Sequence, residues 1–143
     1  MSKLEEVLIQ IQCELVAERN VVNPQEISWL QYDILNLLRN KNNATPSELS
    51  KYLGISPSKF SKAIKELKSK NYIIQEINKL DGRGLFTNIT QEGLTFLQSV
   101  DKGHKFLYDV TKKILSEKEQ EDFVNLASKL IKALSKERME RND

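Results

Sequence analysis

A chain of 143 residues, 39% hydrophobic and 29% charged, has room for one domain with a real core, and its composition excludes a disordered polymer. Its single cysteine, Cys13, and single histidine, His104, exclude an internal disulfide and leave no cysteine or histidine cluster for zinc or for a hydrolytic triad. The net charge of +2 is uneven: residues 51–83 hold eight basic residues against three acidic ones, a net of +5 that leaves −3 for the remainder, the pattern expected where a polyanion meets the middle of the chain.

No apolar run is long enough for a transmembrane helix. The first twenty residues, "MSKLEEVLIQIQCELVAERN", mix charges among their apolar positions, unlike a signal peptide. A cytoplasmic protein is expected, with no membrane partner. No carboxylates are paired in a recognisable catalytic frame, so neither an enzyme nor a cofactor is expected.

The first predicted helix carries Leu4, Val7, Leu8, Ile11 and Leu15 at spacings of three and four, an apolar stripe along one side. "NPQEIS" interrupts it at Pro24. A second helix is predicted from about Ile27 to Arg39, with Leu30, Ile34, Leu37 and Leu38 inward. In "TPSELSKYLG", Thr45 and Glu48 have the spacing of a capping box, Pro46 fits the first helical position and Gly54 suits a helix-ending turn. Ser56 and Pro57 then open another helix that buries Phe60, Ile64 and Leu67, with Ala63 allowing close approach. Two short, sharply capped helices joined by a glycine turn form a helix-turn-helix.

"YIIQEI" and "LFTNI" read as the strands of a hairpin, with residues 78–84 as its loop. Thr90 caps one long helix carrying Leu94, Leu97, Val100, Leu107, Val110 and Ile114. Ser116 and Glu119 open a last helix with Phe123, Leu126, Ala127, Leu130, Ile131 and Leu134 on one side. The polar tail "KERMERND" is expected to fray. The fold class is mainly α with a small β-hairpin. Three apolar-striped helices exceed what one small domain buries, and a homodimer is expected to use the surplus.

In the helix after Ser56, the buried positions send Ser58, Lys59, Ser61, Lys62 and Lys65 outward, where hydroxyls and ammonium groups can reach base edges and phosphates in a major groove. A solvated amphipathic helix would carry similar lysines. What separates the readings is the hairpin, because a helix-turn-helix followed by a two-stranded hairpin is a winged helix. Arg83 then stands on the wing between Gly82 and Gly84, suited to a narrow minor groove. Asp81 orients its guanidinium, and Lys79 reaches phosphate.

The run "ATPSELSKYLGISPSKFSKAIKELKSKNYI", the wing "DGRG" and "LFTNITQEG" before two long helices together resemble the MarR family of transcription regulators. The resemblance covers nearly the whole chain. It implies one MarR-like domain over residues 1–143, with a winged-helix core at about 27–89 and dimerisation helices at 1–20 and 90–138. It also implies a homodimer in which the N- and C-terminal helices interleave. The expected function is a regulator of double-stranded DNA at a palindromic operator, a repressor by steric block, with a small-molecule effector or some other signal shifting the dimer off that operator. By the same resemblance, Ser58, Lys59, Ser61, Lys62 and Lys65 match the recognition helix, and Asp81 and Arg83 match the wing's Asp-x-Arg pair.

Two departures stand out: no basic residue follows Arg83 directly, and the segment between the first two helices is short. Trp29, Tyr32 and His104 are the candidate pocket residues, with core or helix-surface packing as the plainer reading. Some relatives sense peroxide through an N-terminal cysteine. Cys13 lies about two to three helical turns out of that register when Tyr32 is aligned with their second-helix tyrosine, so it is read as a small buried apolar residue. The other functional reading is a winged-helix module whose basic face meets an acidic protein.

Overall fold

The computed structural model describes residues 1–22, 24–77 and 84–141. Among them, helices α1 (Lys3–Val21), α2 (Trp29–Arg39), α3 (Pro46–Leu53) and α4 (Pro57–Ser69) precede a hairpin of β1 (Ile73–Ile77) and β2 (Leu85–Ile89). Helices α5 (Gln91–Asp101), α6 (Lys105–Ile114) and α7 (Glu117–Arg141) follow. The strands pair antiparallel from Ile73–Ile89 to Ile77–Leu85, so the fold class read from the sequence holds. No helix among the described residues is long and apolar enough to cross a membrane.

Local chemistry explains most of the boundaries. Thr45 and Glu48 bond reciprocally, with Glu48 N donating to Thr45 Oγ1 at 3.2 Å and Thr45 N to Glu48 Oε2 at 3.3 Å. Gly54 closes α3 in the left-handed region at φ 68°, which costs a residue without Cβ little. Two residues later Ser56 caps α4 by accepting from Lys59 N at 3.2 Å. Asn71 ends that helix at φ 62°. Ser116 and Glu119 form the expected box at the start of α7.

The core lies where α2, α3, α4, the hairpin and α5 converge. Ile34, Leu35, Leu38, Leu49, Leu67 and Leu97 are fully buried there. Thr87 joins them because its N–H donates to Ala44 O at 2.7 Å, a bridge that lays the segment before α3 along β2.

Four expectations are corrected. Helix α2 starts at Trp29 rather than Ile27, because Ser28 and Gln31 form their own capping box. That register also buries Leu35, while Leu30 and Leu37 stay only partly covered. The single long helix after Thr90 is interrupted by a 3₁₀ turn at Lys102–His104, where Gly103 has weak helix propensity. The tail does not fray after Ser135: α7 continues to Arg141, with Arg138 anchored on α3. Cys13 is exposed, because no residue of α1 is buried within the chain.

Candidate nucleic-acid interface

The buried stripe of α4, formed by Phe60, Ala63, Ile64 and Leu67, sets the direction of everything else on that helix. Ser58, Lys59, Ser61, Lys62 and Lys65 are all exposed on its other side. A cleft of about 530 Å³ runs between α3 and α4, lined by Ser47, Ser56, Pro57 and Ser61 among others. It places small hydroxyls beside the starts of both helices, where amides point outward. Lys68 extends the basic row toward the hairpin and donates to Gln75 Oε1 at 3.2 Å.

The sequence reading missed what happens to the one acid of α4. Glu66 turns toward α2 and accepts from Gln31 Nε2 at 2.6 Å. Its carboxylate, though exposed, is thereby held toward α2. Gln31 is itself buried and also contacts Ala63 O. The signal available in the sequence was that Glu66 is the only carboxylate in α4, sitting beside the buried stripe.

Helix α2 also ties the recognition helix to the outer helices. Arg19 of α1 grips Asp33 through both terminal guanidinium nitrogens, Nη1 and Nη2, at 3.0 and 2.7 Å. Arg39 and Tyr32 both donate to Asp101 at the end of α5, Tyr32 Oη at 2.8 Å. Burial alone would raise the Asp101 carboxyl, but the Arg39 and Tyr32 hydrogen bonds outweigh it and hold it below its usual range. The Tyr32 phenol is pushed up to about 12, chiefly by burial and then by its bond to Asp101. It therefore remains a donor throughout the physiological range.

Trp29, Tyr32 and His104 do come together. His104 stacks on Tyr32 at 4.7 Å and meets Trp29 edge-on at 5.1 Å between ring centroids. Trp29 and His104 line a cavity of about 220 Å³ with Leu15, Arg19, Phe106 and Leu107. Tyr32 is behind that wall, buried, with its hydroxyl on Asp101. Lys79, Asp81 and Arg83 lie outside the described residues.

Among the described residues, the shielded Nε2 of His104 has no hydrogen-bond partner. Burial pushes its imidazole below the ordinary value; Arg19 and Arg39 add to this, while Asp101 and Asp33 oppose it. The folded chain thus holds His104 neutral where the unfolded chain already binds a proton. This contribution to stability is full above pH about 6.5 and is lost as the pH falls below it. Melting midpoints between pH 7.5 and 5.5 should therefore fall more steeply for the native protein than for His104→Gln. Parallel curves would refute this.

A capped helix pair with a basic second helix, backed by a hairpin and framed by long helices, defines a winged-helix protein. Residues 25–84 match the model of the MarR family, so the resemblance read from the sequence is borne out over the winged-helix segment. Among solved structures, the chain is similar to wild-type MarR from E. coli in its apo form, at 20% identity and a TM-score of 0.72, covering 91% of this chain and 96% of that one. It is also similar to PcaV from Streptomyces coelicolor in complex with its natural ligand, at 19% identity and TM-score 0.70, covering 93% and 94% of the two chains. FabT from Streptococcus pneumoniae in complex with DNA matches at 20% identity and TM-score 0.69, covering 94% and 96%. At these identities the likeness establishes the fold. No curated protein matches the sequence.

Proposed function

We propose that this chain is a sequence-specific, double-stranded-DNA-binding transcription regulator acting as a homodimer, with α4 in the major groove of each half-site. The observation that carries the reading is the α4 surface: three lysines and two serines are exposed on one side, while the helix's only acid is drawn to Gln31. Neutralising phosphates with such a row supplies affinity, and its short hydroxyls leave room for base contacts. In this reading Arg83 and Lys79 add a wing contact, and the protein represses by occupying a promoter at an inverted repeat.

The dimer is supported by apolar side chains left uncovered on three helices. Leu4 of α1 is 68% exposed, Ile114 of α6 69% and Leu126 of α7 67%. Residues 1–20 and 90–138 are the proposed dimerisation region, and 27–89 the DNA-binding core. A small effector with an apolar body would enter the cavity beside Trp29 and His104 and shift the dimer toward spacings that no longer match the operator. Trp29 is the only tryptophan, so its fluorescence reports occupancy; no change with an effector that releases DNA would move the effector elsewhere.

Selection of bound duplexes from a random pool, paired with sedimentation of the purified protein, tests the proposal. Enrichment of an inverted repeat with half-sites about one helical turn apart, together with a dimeric mass, is expected. A monomer at micromolar concentration, or salt-sensitive binding that enriches no sequence, would overturn it.

A further inference from the structure

Helix α7 has two different ends. It is 25 residues long, about 37 Å of helix. Over its middle, Phe123, Leu126, Leu130 and Leu134 remain exposed. Over its last turns, Ser135, Arg138 and Met139 are half-buried at spacings of three and four, where the helix packs against α3.

Arg138 makes the defined contact there. Its Nε donates to Tyr52 O at 2.8 Å, and its guanidinium lies 5.4 Å from the centre of the Tyr52 ring. A Cβ built on Gly54 would meet its Cδ at 3.6 Å. The Tyr52 carbonyl belongs to the final turn of α3, whose carbonyls lack helical amides to accept from. A cation at that end also complements the helix dipole. Arg138 thus holds the turn from which the recognition helix departs: Gly54 N and Ile55 N bond back to Lys51 O and Ser50 O in the same turn.

We infer that Arg138 is a positioning residue for DNA reading, fixing the α3–α4 pair against the helix that carries the uncovered apolar face. The inference rests on the DNA-binding reading above. It makes α7 a rigid arm: subunit geometry set along Phe123–Leu134 reaches the recognition helix through Arg138. A planar guanidinium is required, because an ammonium can neither donate from Nε nor stack on Tyr52 in the same way.

Full-length Arg138→Ala and Arg138→Lys are compared with the native protein on a duplex that the native protein selects from a random pool, and on a scrambled duplex. Both variants should remain dimeric and bind the selected duplex about tenfold more weakly. Binding to the scrambled duplex and the salt slope should be unchanged, and amide exchange at Gly54 and Ile55 without DNA should be faster. Rescue by lysine, with alanine losing equally on both duplexes and showing a shallower salt slope, would make Arg138 a phosphate contact and overturn the inference. Faster exchange with undiminished affinity would also overturn it, leaving only a stabilising contact. A native protein that enriches no duplex sinks the DNA reading and this inference together, whereas an enriched duplex bound equally by the variants sinks this inference alone.

Discussion

Replacing Lys59, Lys62 and Lys65 together by alanine is expected to weaken binding to a selected duplex at least a hundredfold, with the melting temperature little changed. The fold should survive because α4 packs through Phe60, Ala63, Ile64 and Leu67, none of which changes, and alanine is the better helix former. The weakening follows from charge. In a dimer the substitution removes six ammonium groups from the proposed interface, and every base-reading side chain among them is worth about 1–3 kcal/mol of binding. If all six meet phosphate, the slope of log K against log salt should become shallower by up to about five. A fall in affinity with the slope unchanged would instead mark the lysines as base readers. Undiminished affinity would remove α4 from the interface altogether.

Features set by neighbouring residues were legible before the structure. A cap needs only the right side chain a few residues from an amide, so Thr45 with Glu48, Ser56 and Gly54 could be placed from the sequence. The outward direction of Ser58, Lys59, Ser61, Lys62 and Lys65 followed from the buried stripe beside them. What escaped were pairings across the chain, since periodicity describes a helix's faces but not what each face meets. Gln31 reaches Glu66 over 35 positions, Arg39 reaches Asp101 over 62 and Arg138 reaches Tyr52 over 86. The first two join polar side chains and the third a side chain to a backbone carbonyl, partners that the period of a helix does not name. The 3₁₀ turn at Lys102–His104 escaped for another reason, because the apolar spacing on either side of it still fits one continuous helix. The wing residues Lys79, Asp81 and Arg83 fall outside the described residues and rest on the sequence alone.

Gly93→Ala should destabilise the protein by about 3 kcal/mol, although the substitution normally favours a helix by roughly 1 kcal/mol. Gly93 is buried in the first turn of α5. A Cβ there would stand 2.2 Å from Tyr72 O and 2.8 Å from Ile89 Cγ1. The first contact is with backbone, so no rotamer change relieves it. That carbonyl also accepts from Thr90 N at 3.0 Å, and Thr90 Oγ1 caps the helix by accepting from Gly93 N at 2.9 Å. Moving α5 away strains both bonds and the stack of Tyr72 on Phe96, whose ring centres are 4.6 Å apart. In a chain of this size the destabilisation corresponds to a fall in melting temperature of about 10 °C. The displacement would also be felt eight residues further along α5, where Asp101 receives Arg39 and Tyr32. DNA affinity should therefore fall even at temperatures where the variant remains folded. An unchanged or raised melting temperature would mean that α5 can shift away from the hairpin at little cost, and the rigid connection from hairpin to outer helices would have to be abandoned.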